Sequence, residues 1–287
     1  HQRVDVGTGT EIEFTMIPIS AGKFKMGSPE SEEDRRDDEG PQVEVSVEPF
    51  WIGKYEVTWA EYKKYMQLDK VFKALQRKGL RHVSEENEID GITAPSSLYD
   101  PSFTFDAGEG PDEPAATMTQ FAAKQYTKWL SLLSSDFYRL PFESEWEWAC
   151  RAGTKTAYSF GDDADQLEDY GWFEENSDEM RQVVGEKKPN AFGLFDMHGN
   201  VWEWCQDWYE DYPKDNISDP PSPPSGVRRV VRGGSWYDNG RFVRSAIRRW
   251  NGPDDRDYDL GFRLALGHTE LRQSARCIRE APFVGSE

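Results

Sequence analysis

The chain is poor in the side chains that hold transition metals. Its 287 residues include three cysteines, Cys150, Cys205 and Cys277, and four histidines, His1, His82, His198 and His268. Three cysteines exclude a disulfide framework and leave room for one internal bridge at most. The histidines are scattered, with no His-x-x-His or Glu-x-x-His pair, which argues against a histidine-ligated zinc or iron site. Positive charge is also short: 34 basic residues face 53 acidic ones, a formal charge of −19. A phosphate backbone needs a basic footprint, so no nucleic-acid partner is expected. No apolar run reaches the roughly eighteen residues that a membrane-crossing helix requires. No internal repeat is present. The chain opens at His1 rather than Met, which reads as a processed or trimmed form and tilts the expectation toward an exported protein.

Turn formers and aromatic rings are abundant. Glycine occurs 24 times and proline 17 times, beside 11 Trp, 12 Tyr and 16 Phe. Many turns joined by large rings imply a core built between loops. Residues 1–13 read as a loose leader or an edge strand, and 14–28 as a strand turning at Gly27. Residues 29–40 carry Glu30, Glu32, Glu33, Asp34, Asp37, Asp38 and Glu39. Without spaced Asp-x-Asp-x-Asp-Gly ligands they read as a solvated acidic loop rather than a calcium loop. Val43, Val45 and Val47 alternate as in a strand, and Phe50-Trp51-Ile52 follow.

Thr58-Trp59-Ala60-Glu61 is a capping box that starts a helix. Thr119 caps a second over 120–133, with Phe121, Ala122, Tyr126, Trp129, Leu130 and Leu133 inward. A third runs from Glu143 to Ala152 and ends at Gly153. Residues 68–115, with Lys70, Lys73, Arg77, Lys78 and Arg81, read as a surface insertion. Pro220, Pro221, Pro223 and Pro224 mark an exposed connection. The tail 267–287, with Arg272, Arg276 and Arg279, lies outside the main pattern. Cys150 and Cys205 read as buried small hydrophobes.

Six blocks carry a resemblance: Gly22-Lys23-Phe24-Lys25-Met26-Gly27-Ser28, Phe50 to Thr58, Arg139 to Gly153, Asn190 to Trp204, Arg232-Gly233-Gly234-Ser235-Trp236 and Gly261-Phe262-Arg263-Leu264. Together they resemble the formylglycine-generating enzymes, or sulfatase-modifying factors, over about residues 14–266. The resemblance implies an α+β fold: one irregular domain, a variant of the C-type lectin fold with little regular secondary structure. It also implies copper thiolates at positions 238 and 243, which hold Asp238 and Val243 here. Cuprous copper is soft and selects sulfur. Copper is therefore not expected as a cofactor, and no catalytic residue is assigned.

The resemblance further implies a structural calcium held by the side chains of Asn200 and Glu203 and the carbonyls of His198 and Val201, a donor set that suits a hard cation. The competing reading has Asn200 in a tight turn and Glu203 on an arginine. A second calcium site has no match between Trp172 and Val183. Trp204 and Ser235 match groove-lining positions, and Trp236, Tyr237, Phe242, Asp238 and Val243 complete the candidate groove. Trp204 and Trp236 equally suit a core. Ser235 has no nearby histidine in sequence to serve as its base and is not read as a nucleophile. Arg244, Arg248, Arg249 and Arg263 suit ion pairs, with Asp196, Asp207 and Glu203 as candidate partners.

The leading reading is a family member that binds a polypeptide or small ligand in the groove without oxidase activity. The alternatives are an oxidoreductase with another metal arrangement and a cell-envelope assembly protein. The sequence sets neither the ligand nor the oligomeric state.

Overall fold

In a computed structural model of the chain, the structure describes residues 1–6, 11–68, 74, 77–79, 101–212, 217–218 and 225–266. The tail from 267, the proline run at 220–224, His82, Cys277 and most of 69–100 lie outside the described residues.

The first strands are short. β1 (Gln2–Asp5) and β2 (Glu11–Phe14) pair antiparallel as a two-stranded sheet. Val4 and Ile12 alternate inward and enter the core, so of the two readings for 1–13 the described residues take the strand. β3 (Met16–Ile19), β4 (Gly22–Met26), β5 (Val43–Val47) and β6 (Phe50–Gly53) follow. The expected strand over 14–28 is thus split in two. Gly27 has φ 88°, and a Cβ there would stand 2.2 Å from the Glu39 carbonyl oxygen, so only glycine fits this turn.

α1 (Trp59–Met66) starts where the capping box predicts: Glu61 Oε1 accepts from the Thr58 amide at 3.2 Å. α2 (Pro101–Phe105) is followed by Ala107, Ala115 and Ala116, all buried. Arg181 donates to the carbonyls of Thr104 and Gly108. The segment 101–115 thus docks on the body through Thr104, Ala107 and Ala115, while Phe103, Asp106, Glu109, Pro111 and Asp112 keep it at the surface. α3 (Gln120–Ser134) is capped by Thr119, whose hydroxyl accepts from the Ala122 amide. It buries Ala122, Tyr126 and Leu130 as expected, but Leu133 is 40% exposed. β7 (Tyr138–Arg139) leads into α4 (Glu143–Arg151), whose left-handed C-cap is Ala152, ahead of Gly153.

β8 (Trp202–Trp208), β9 (Ile217–Ser218), β10 (Arg229–Arg232), β11 (Arg248–Asn251), β12 (Leu260–Gly261) and β13 (Ala265–Leu266) complete the order. They form sheets β11-β10-β8-β12, β3-β6-β13-β7 and β4-β5-β9. Two large and two small apolar clusters fill the interior. The largest packs Tyr62, Tyr65 and Tyr126 with ring centroids 5.6 Å apart pairwise, around Trp59, Trp204 and Phe262. Such edge-on and tilted contacts add about 0.5–1.5 kcal/mol each beyond area burial. Among the described residues no helix is long and apolar enough to cross a membrane.

Buried ion pairs tie these layers together. Arg232 donates to Glu147 at 2.5 Å and Glu143 at 3.1 Å, Arg248 grips both Glu143 oxygens at 2.8 Å, and Arg151 meets Glu147 at 2.8 Å. Arg263 holds both oxygens of Glu203 at 2.6 Å. Arg244 holds Glu39 and Glu32 and so anchors the acidic stretch 29–40, while Glu30, Glu33, Asp34 and Asp37 stand exposed as expected of a solvated loop. The arginines pair as expected except Arg249, which is exposed over the Trp202 ring. Of the expected partners only Glu203 serves. Asp207 instead accepts from the Glu143 amide.

Arg263→Met strands the Glu203 carboxylate in the interior, at a cost of about 3–5 kcal/mol. Chemical denaturation should show that loss, and adding Glu203→Gln should restore part of it. A double variant no more stable than the single would count against an electrostatic origin.

Candidate functional site

β8 lies between β10 and β12, with Trp204 opposite Val231 and Trp202 opposite Leu260. Alternation sends Trp202 and Trp204 to one face and Glu203 and Cys205 to the other. The chain leaving β10 turns through Gly233 and Gly234, both at positive φ. A Cβ on Gly234 would meet Val243 Cγ1 at 2.5 Å. This turn brings Ser235 and Asp238 to the end of the sheet where Asp259 enters β12.

The three form a short polar chain. Ser235 Oγ stands 2.7 Å from Asp238 Oδ2 and 2.7 Å from Asp259 Oδ2. Trp202 Nε1 donates to the same Asp238 oxygen at 2.7 Å. One hydroxyl proton cannot serve two carboxylates, so a second proton belongs to this chain, carried by a carboxyl. Asp259 suits that role: burial, then the nearby Asp257 charge, push it up to about 6. Burial also raises Asp238, against hydrogen bonds from Ser235 and Trp202. Sequence reasoning missed Asp259. Its only signal was an acid placed two residues before the Gly261-Phe262-Arg263-Leu264 block.

The other candidate residues separate. Trp204 is fully buried in the larger core and donates to the Met118 carbonyl. Trp236 is buried against Ala107, Ala116 and Val201. Val243 is fully buried with Ala157, Tyr158, Leu167 and Phe173. Phe242 is half-buried. Tyr237 is 59% exposed, with its ring 5.5 Å from Trp236 and 6.0 Å from Tyr258. Of the candidate groove residues, Tyr237 is thus exposed and Asp238 and Phe242 partly so, with the half-buried Tyr258 ring beside them.

The segment 196–203 is buried and crowded with acid. His198 Nδ1 contacts the Val243 carbonyl at 2.8 Å, and its Nε2 accepts from the Ser159 amide at 3.1 Å. This assigns the proton to Nδ1, and burial lowers the ring to about 4, so it stays neutral. Asn200, at φ 62°, accepts from the Gln182 amide through Oδ1 and donates to Glu56 through Nδ2. The Val201 amide donates to Glu56. Glu203 is held by Arg263 and Trp146 Nε1. The side-chain oxygens of Asn200 and Glu203 are therefore engaged within the protein. Asp196 differs: its Oδ2 accepts from the Gly185 amide, while Oδ1 is buried with no partner. Burial raises Asp196 to about 6 and raises Glu56 strongly. Among the described residues no three His, Cys, Asp or Glu side chains converge as a metal cluster.

Residues 6–267 match the sulfatase-modifying factor enzyme 1-like domain. The chain belongs to this family. It is 28% identical over 289 residues to the formylglycine-generating enzyme of Bos taurus, covering 88% of this chain and 75% of that one. It is 27% identical over 296 residues to the inactive C-alpha-formylglycine-generating enzyme 2 of Bos taurus, covering 92% and 91%. The solved structure of PvdO from Pseudomonas aeruginosa superposes with a TM-score of 0.70 at 29% identity, covering 88% of this chain and 94% of that one. The irregular α+β fold expected for a sulfatase-modifying factor is the one this chain has.

Asp259 provides a test of the polar chain. Its raised value means that the folded state binds the proton more tightly than the unfolded chain. The resulting stability is full at pH 4 and below and is lost as pH rises through 6, by up to about 3 kcal/mol. Melting curves between pH 4 and 8 should show that Asp259→Asn removes this component. An unchanged difference between wild type and variant across the range would contradict the shared proton.

Proposed function

We propose that this member of the sulfatase-modifying factor family binds an extended polypeptide or smaller ligand over Tyr237, Tyr258 and Asp238, without copper oxidation. One observation carries the reading. The two positions that the resemblance gives to copper thiolates hold an aspartate already bonded to Trp202 and Ser235, and a fully buried isopropyl group. A soft cuprous ion selects sulfur over such ligands. The described thiols offer no replacement. Cys150 faces the Met197 carbonyl and Cys205 that of Glu203. Both are buried, and burial pushes the Cys150 thiol up to about 12, far from the thiolate a copper ion needs. A relative described as inactive provides a precedent within the family.

Calcium belongs to the same proposal as a structural ion beside residues 196–203. The support is the surplus of acid there: Glu56, Asp196 and Glu203 face one guanidinium, Arg263, which is their common positive neighbour. Asp196 Oδ1 is the oxygen free to bind, with main-chain carbonyls of the segment completing a hard donor set. A bound divalent ion would offset the cost of burying these carboxylates and hold the loop before β8 against Trp146.

Incubation with cuprous copper and a cysteine-containing sulfatase-type peptide should leave the peptide mass unchanged. Loss of the thiol with gain of an aldehyde would defeat the binding-only reading. Tyr237→Ala should weaken capture of that peptide by about tenfold. Calcium is tested by melting. Added ion at about one hundred times its dissociation constant should stabilise by about 2.7 kcal/mol, and Asp196→Asn should abolish the gain. A midpoint indifferent to calcium and chelator would remove the ion from the account.

A further inference from the structure

A cavity of 420 Å³ lies between α3, β7 and the ends of β8 and β10, away from Ser235 and Asp238. Lys124, Lys128 and Arg229 line it. On a protein with net charge −19 this grouping is unexpected, because carboxylates are abundant and only the charge of Asp207 acts on it, through Arg229. Among the described residues no acidic side chain lies within ion-pair reach of any of the three. Lys124 and Lys128 stand one helical turn apart on α3, where like charges repel.

Arg229 is held in place by β8. Its guanidinium stacks on the Trp208 ring at 3.2 Å, and Nη1 donates to the Gln206 carbonyl at 2.9 Å. Its Nε is buried and has no partner. Burial lowers Lys124, and the Arg229 and Lys128 charges lower it further. Burial also lowers Arg229 to about 10, against the opposing charge of Asp207. The fourth cation in the lining, Arg139, is already neutralised by Glu145 at 2.6 Å. Phe121 and Phe137 supply an apolar wall.

Three cations held together with only Asp207 near Arg229 as counter-charge, two of them partly out of water and one bearing a buried unused donor, form an arrangement that an external anion would relieve. We infer that this cavity is a binding site for a small phosphomonoester carrying an aromatic or aliphatic body. The dianionic head meets the lysine ammoniums as point charges and the preoriented Arg229 as a hydrogen-bonding plane. The body lies on Phe121 and Phe137. A carboxylate would bring one negative charge to three positive ones and fits less well. The inference is independent of the groove at Tyr237 and stands or falls without it.

The test is calorimetric titration of the whole chain with phenyl phosphate, with benzoate as the single-charge control. Phenyl phosphate should bind with a dissociation constant below about 1 mM, more tightly than benzoate. Lys124→Gln and Lys128→Gln should each weaken it by about tenfold, and added salt should weaken it further. Lys128 is exposed, so its variant will fold. In the ligand-free protein both variants should melt at or above the wild-type temperature, since each removes a like-charge repulsion. No binding at about 10 mM phenyl phosphate would overturn the site. So would tighter binding of benzoate, or affinity untouched by either variant.

Discussion

Burial of guanidinium groups against carboxylates organises this protein. α4 is the hub. Glu143 and Glu147 lie one turn apart on it and take Arg232 from β10, Arg248 from β11 and Arg151 from the helix itself. Each of these groups would be costly to bury alone, so each position is conditional on its partner's. Planar forks with fixed donor directions also set orientation, which aliphatic packing does only loosely. Such pairing gives a fold of short strands and long connections a defined geometry.

The same network accounts for the Arg232-Gly233-Gly234-Ser235-Trp236 sequence. Arg232 is an anchor in the helix, the two glycines are a left-handed turn pressed against Trp146 and Val243, and Ser235 is the first residue free to face the polar chain. The motif is thus chiefly a device for placing the side chain three positions beyond Ser235. With Asp238 there rather than a thiol, the device remains and delivers a carboxylate.

Much of the architecture was legible in the residues. Caps at Thr58 and Thr119 start their helices, alternation at Val43, Val45 and Val47 marks a strand, and aromatic abundance corresponds to a ring-built core. Other features were hidden because they depend on contacts far apart in sequence. Glu39 looks like one of many acids in a polar loop until Arg244, over two hundred residues later, claims it. Asp259 looks ordinary until β12 pairs parallel with β8 and carries it to Ser235. Trp204 and Tyr237 both look like groove aromatics, and only the sheet separates the buried one from the exposed one. The positions of Asp196, with its open oxygen, and of Lys124 with Arg229 were equally invisible, since neither grouping is local in the chain.

The strand order has a consequence for how the molecule is made. β13, a two-residue strand at Ala265–Leu266, is inserted between β6 and β7, and β12 lies against β8. Segments synthesised early therefore wait for much later ones before two of the sheets can close. Loop-closure entropy must be overcome before these non-local pairings give any return, a topology that slows folding in general. A nascent chain emerging from the ribosome would hold open edges at Ile52 and Arg139 until residue 266 is free. Premature termination by even a few residues before that point would leave both edges unsatisfied and prone to aggregation.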